Sequence, residues 1–132
     1  MQKQSVLTQS GLKNIVEFIR VNGRKISIGA VQISGKEGNH YINLLPSLSI
    51  SGYGSTEQES KQSLKENLDL FCEDLLNLSK HDIQKELLKL GFKGEKLKNK
   101  NFSKVYVDEK GILQNLEEGT INTSVLETTT FV

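Results

Sequence analysis

An α+β domain, with an antiparallel sheet in a β-β-β-α core and a long amphipathic helix packed on one face, is the fold class that this sequence predicts. Three observations carry the prediction. Asn22-Gly23 separates two β-rich runs, a strand-like stretch lies on each side of Pro46, and Glu57 to Leu78 is an amphipathic stretch without Gly or Pro. Around this core the sequence predicts an extra N-terminal strand, and after it a short helix and a β-hairpin.

The elements follow in order. Residues 1–12 are polar and without periodicity, so a loosely held, flexible N-terminus is expected, followed by one domain over 13–132. Asn14 to Val21 (NIVEFIRV) and Lys25 to Ser34 (KISIGAVQIS) are rich in β-branched residues. The intervening Asn-Gly predicts a hairpin, because a type I′ turn places both central residues at positive φ. In the second run Ile26, Ile28, Ala30 and Gln32 alternate with Ser27, Gly29, Val31 and Ile33, and a change of inward face at a bulge near Gly29 is expected. Gly35 to Asn39 reads as a turn and His40 to Leu45 as the next strand. Pro46 lacks a backbone donor and ends that strand or lies on an edge. Leu48, Ile50 and Gly52 then alternate with serines 47, 49 and 51, the period of a strand with one wet face, broken by Gly52-Tyr53-Gly54.

Thr56 with Glu59 three residues later forms a capping box. Leu64, Leu68, Phe71, Leu75 and Leu78 make the apolar stripe of the long helix, with Cys72 and Leu76 on its flank. Ser79 caps a second helix sharing Ile83, Leu87 and Leu90 on one face. It stops before Gly91, whose lack of a Cβ suits the left-handed position, with Phe92 contacting Leu87. Gly94 to Asn101 reads as a solvated loop, Phe102 to Leu116 as a hairpin, and Thr123 to Val132 as a last strand.

Composition bounds the function. The 132 residues include 25% charged and 36% apolar side chains, with a net charge of +1, so global steering toward nucleic acid is weak. No apolar run is long enough for a membrane span and the N-terminus has no apolar signal region, which makes the cytoplasm the expected location. The single Cys72 forms no internal disulfide. Its place beside the leucine stripe suits a small core residue better than a nucleophile. His40 and His81 have no paired metal-ligand spacing, so neither a metal site nor a cofactor is expected. The carboxylates of Glu57 to Asp74 read as a solvated helix face. Gly52-Tyr53-Gly54 lacks the lysine of a phosphate loop and reads as a turn. No catalytic constellation assembles, so a non-enzymatic protein is expected. Locally, residues 80–104 hold eight lysines against three acids, and residues 108–132 hold five acids against one lysine. Within the basic segment from Lys89 to Lys104, the side chains of Lys93, Lys96, Lys98, Lys100 and Lys104 are candidates for gripping the phosphates of RNA or DNA.

Tyr41, Pro46 with Leu48, Gly54-Ser55-Thr56 with Glu59, and Leu68-Asp69-Leu70-Phe71 stand in the order and spacing of a known pattern. Over about residues 26–76 the chain resembles the HicB-like antitoxin domain of bacterial HicA/HicB toxin-antitoxin pairs, which implies a HicB-like core of about 26–79 and a C-terminal extension over 80–132. That family has a strand with an aromatic, a Pro-Asp-Leu-Pro-Gly turn and a helix opening on Gly-x-Thr-x-x-Glu. Here Ser47 stands in place of the Asp, and the second Pro is missing. The resemblance implies a protein that binds and neutralises a small HicA-like toxin through a sheet edge and the Pro46 turn, or a derived orphan relative of such an antitoxin. Tyr41, Pro46, Leu48 and Tyr53 are the partner-binding candidates, and a homodimer through an open edge strand is a further expectation. Residues 80–132 do not read as the appended DNA-binding segment of many family members.

Overall fold

The strand-forming runs pair as their alternation demands, and one long strand organises the rest. The computed structural model describes residues 2–6, 15–94, 98–101 and 121–131. Its strands are β1 (Gln2–Val6), β2 (Val16–Asn22), β3 (Lys25–Glu37), β4 (His40–Leu45), β5 (Ile50–Gly54), β6 (Lys98–Asn101) and β7 (Asn122–Phe131). The helices are α1 (Glu57–Leu76) and α2 (Lys80–Lys89). All seven strands form one antiparallel sheet, so the α+β class holds.

β3 is the spine of that sheet. Residues 25–34 pair without interruption with β7, and β1 pairs with the far side of β7. The other side of β3 is divided. Residues 25–29 pair with β2, which carries β6, whereas residues 33–37 pair with β4, which carries β5. The sheet therefore forks at residues 30–32. The unbroken register with β7 contradicts the expected bulge near Gly29. Residues 28–33 are instead buried on both faces, which removes the period-2 contrast that suggested a change of face.

Cross-strand pairs share a face, so the register assigns the faces. Ile19, Ile26, Ile28, Ala30, Leu45 and Leu126 lie on the α1 face and form the core with Leu64, Leu68, Cys72 and Leu75. The line of closest approach on α1 runs through Ser60, Leu64, Leu68 and Cys72. Cys72 is thus central rather than flanking, and Leu78, beyond the helix end, is exposed. α1 lies directly on β5. A Cβ at Gly52 would stand 2.2 Å from the Leu64 backbone nitrogen, and one at Gly54 2.6 Å from that of Ser60. Here glycine is required by the closeness of two backbones.

Several local expectations change. The tight turn of the first hairpin centres on Gly23-Arg24, with Asn22 paired to Lys25. Gly23 has φ +63° while Arg24 stays at negative φ, the pattern of a type II′ turn rather than I′. Pro46–Leu48 form a 3₁₀ turn ended by Ser49 in the left-handed region, so the next strand starts only at Ile50 and contains Gly52-Tyr53-Gly54. Proline at the first position of a helical turn loses no hydrogen bond, and this is how Pro46 is used. Residues 98–101, expected as loop, pair with β2 as β6, and residues 2–6, expected to be loose, pair with β7. Neither four-residue KNKN nor QKQSV carries an apolar alternation, so backbone pairing alone makes them strands. The expected hairpin over 102–116 falls outside the described residues.

The N-caps of both helices and the end of α2 lie where the sequence predicts, while α1 stops at Leu76, before the expected Leu78. The Thr56 hydroxyl accepts from the Glu59 backbone N–H at 3.1 Å. The Glu59 carboxylate reaches one residue further back than a capping box requires, accepting from the Ser55 N–H at 2.8 Å and its hydroxyl at 2.6 Å. These bonds hold the Glu59 carboxyl below its ordinary pKa. Thr56→Ala is expected to lower the unfolding free energy by about 1 kcal/mol in urea titration, with an unchanged m-value. α2 ends in a Schellman motif, in which Phe92 N–H donates to the Leu87 carbonyl and Gly91 N–H to that of Leu88, each at 2.9 Å. Gly91 takes φ +93°, and Phe92 is fully buried.

Candidate functional site

On the α1 face, the helix covers β4 and β5 but leaves β3 and β7 open beside its first turns. An open cleft of about 380 Å³ results. Its floor is polar, with Gln32 and Ser34 from β3, Asn43 from β4 and Ser124 from β7. Tyr41 and Lys36 close one end, and Glu57 and Lys61 of α1 form a wall. Lys36 holds its ammonium 5.3 Å from the centre of the Tyr41 ring.

Beneath the cleft runs a chain of buried polar groups. The Gln32 amide donates to Asn43 Oδ1 at 2.8 Å, Asn43 Nδ2 donates to Ser60 Oγ at 2.6 Å, and that hydroxyl donates to the Glu57 carbonyl at 2.9 Å. All three side chains are buried. A satisfied network of this kind is rigid, because every alternative rotamer leaves a buried polar atom unpaired. It ties the floor of the cleft to its wall. Sequence reading missed it, although a signal existed: Gln32 and Asn43 stand where the alternation calls for apolar residues.

A second buried polar group holds the fork. β2 leaves β3 after the pair Phe18–Gly29, and the Glu17 carboxylate takes the place of the missing strand. Glu17 Oε2 accepts from the Val31 N–H at 3.0 Å, and Oε1 accepts from the Ser47 hydroxyl at 2.5 Å. Desolvation raises the Glu17 pKa above the ordinary carboxyl value, opposed by those two hydrogen bonds and by the charge of Lys100. The Lys100 ammonium donates to the Ser47 carbonyl at 3.1 Å and to the Leu90 carbonyl at the C-terminal end of α2, and sits 4.7 Å from the Phe92 ring centre. A cation there suits the negative end of the helix.

The candidates of the sequence are thereby dispersed. Tyr41 lines the cleft and Tyr53 is exposed on the opposite face of the sheet, whereas Pro46 and Leu48 are buried in the core and present no surface to a partner. The outer edge of β5 is also taken: the Tyr53 N–H donates to Ser63 Oγ at 3.2 Å, and the Ser51 carbonyl accepts from Asn67 Nδ2 at 2.7 Å. The Pro46 turn expected to contact a partner is therefore turned inward, and α1 occupies the edge of β5. Among the described residues β1 pairs on one side only, with β7. Of the lysines, Lys93 is exposed, Lys98 is on β6, and Lys100 is turned to structural use, while Lys96 and Lys104 lie outside the described residues. The basic segment is therefore split between an exposed residue and a half-buried anchor.

Burial, then the charge of Asp69, pushes the Cys72 thiol up to about 11, which keeps it protonated and suits its core position. His40 and His81 are exposed, and among the described residues no group of three or more His, Cys, Asp and Glu is placed to hold a metal ion. Among the described residues no helix is long and apolar enough to cross a membrane. Compared with known proteins, the chain matches no family model, no curated protein and no solved structure.

Proposed function

We propose that the chain is a non-enzymatic binding domain of the HicB antitoxin type, which receives a segment of a small protein partner in the cleft between the first turns of α1 and strands β3, β4 and β7. The observation that carries this reading is the immobile floor. The Gln32–Asn43–Ser60 chain fixes hydroxyl and amide groups before any partner arrives, so little side-chain freedom is lost on binding. Tyr41 supplies a flat contact with an apolar body and a polar tip, the kind of side chain that anchors protein interfaces. Lys36, Lys61 and Glu57 supply charge at the rim of the cleft, where it selects orientation more than affinity.

The test is titration calorimetry of the purified chain with the small basic protein encoded by the adjacent reading frame of its host. Tyr41→Ala and Lys61→Glu are expected to weaken the complex about tenfold or more, and Tyr53→Ala, on the opposite face, to leave it unchanged. Absence of such a reading frame, or a complex indifferent to Tyr41 and Lys61 but lost with Tyr53, overturns the cleft as the binding site.

A further inference from the structure

We infer that the corner of the sheet turned away from α1, where the β2–β3 hairpin meets the end of β7, binds single-stranded nucleic acid. This surface is separate from the cleft, and β6 of the basic segment borders it, with Asn99 opposite Phe18. The register places three short rows of side chains on it: Asn22, Lys25 and Phe131; then Arg20, Ser27 and Thr129; then Phe18, Gly29 and Glu127. Alternate residues on a strand are about 6.7 Å apart, so the rows form a flat array of closely spaced contacts.

Each row contributes a different chemistry. The Phe18 ring packs on Gly29, where a Cβ would come within 2.3 Å of it. The Arg20 guanidinium rests over that ring, 4.2 Å from its centre, while Arg20 itself is exposed. A cation on an exposed residue is thus held against an aromatic ring, where a base can stack on it. Phe131 is 75% exposed, and a large aromatic with that exposure serves no core. The Lys25 ammonium stands 5.8 Å from its ring centre, so a base stacked there would have a cation beside its phosphate. Between the two cation–ring pairs, the hydroxyls of Ser27 and Thr129 are 3.3 Å apart and offer hydrogen bonds to sugar or phosphate oxygens.

Charge decides the class of occupant. Arg20, Arg24 and Lys25 crowd the hairpin, and Glu127 is the one acid in the array, at its far row. An acidic protein would use the cations but has no need of two exposed stacking groups, Arg20 and Phe131. Single-stranded RNA or DNA uses both, because its bases expose their faces and its backbone carries the charge. Duplex DNA hides those faces.

The test is fluorescence anisotropy with a labelled oligouridine dodecamer at low salt, with duplex DNA and heparin as competitors. Binding to the dodecamer is expected, weakening with added salt as two or three phosphate contacts require, with a slope of about −1.5 to −2 in log K against log salt. Phe131→Ala and Arg20→Lys are each expected to weaken it about tenfold, the second because lysine keeps the charge and loses the stacking plane. Lys93→Ala is expected to change little. Phe131 is on the surface, so its variant keeps the test informative should Arg20→Lys disturb the fold. No binding at low salt, or unaltered binding by both variants, overturns the inference. Heparin or the duplex competing as well as the unlabelled dodecamer, with Phe131→Ala unaffected, identifies a general polyanion surface and overturns it too.

Discussion

Gly52→Ala is expected to lower the unfolding free energy by about 3 kcal/mol, seen as a fall of about 10 °C in the thermal midpoint. The added methyl would stand 2.2 Å from the Leu64 nitrogen and 2.5 Å from the Ser60 carbonyl oxygen. Both are atoms of a helix backbone and have no rotamer by which to yield. The helix must move off β5 as a body, carrying Leu64 and Leu68 out of the core. That shift also draws Ser60 away from Asn43, opening the polar chain under the cleft, so the variant should lose partner affinity as well as stability. Ser51→Ala, one residue away on the opposite face, is the control and should stay within about 0.5 kcal/mol of the parent. Equal midpoints for the parent and Gly52→Ala would refute the backbone contact between α1 and β5.

The second large effect belongs to Glu17 and Lys100. Lys100→Met leaves the Glu17 carboxylate buried without its neighbouring cation, and the Ser47 and Leu90 carbonyls without a donor. Taking away a cation that favours the buried carboxylate, together with the donor to two carbonyls, is expected to cost about 2 kcal/mol. Glu17→Gln in the same chain should recover part of that loss, because the amide keeps an acceptor for Val31 and no longer needs a counter-charge. The double-mutant cycle should therefore give a coupling of at least about 1 kcal/mol, and additive effects would show that the two side chains act separately.

The pH dependence carries the same signature. Because the folded state holds the Glu17 proton more tightly than the unfolded chain does, its contribution is fully present below the ordinary carboxyl value of 4.5 and is lost as pH rises through the raised folded value. Glu59 acts in the opposite sense, its contribution being lost as pH falls below 4.5. Urea midpoints measured across this range should show a decline on the alkaline side that disappears in Glu17→Gln and steepens in Lys100→Met. The same decline in the parent and Glu17→Gln would exclude Glu17 as its source.

Much of this architecture was legible because its causes are local. The Thr56 cap, the Ser79 cap and the Gly91–Phe92 ending each rest on residues within one or two turns of each other, and each is found where its spacing places it, while the α1 stripe is found with Cys72 at its centre and without Leu78. Strand alternation likewise located β2, β3, β4 and β7 to within a few residues. Even the misplaced turn centre at Gly23 left the strands intact, since both turn types join the same two runs.

What depends on distant neighbours was not legible. No local pattern marks KNKN as a strand, and Lys100 looked like one more surface lysine because its ties to Ser47 and Leu90 cross 53 and 10 residues of chain. Pro46 and Leu48 looked like a projecting turn because the residues that bury them come from elsewhere in the chain. Glu17, Gln32 and Asn43 did announce themselves as polar residues on apolar faces. Their use did not, since it depends on where the sheet forks and where α1 stops covering it. Helix caps and stripes are settled by neighbours along the chain. The cleft, the buried carboxylate and the aromatic corner are settled by strand register and by the crossing of one helix, which bring together residues that no spacing in the sequence connects.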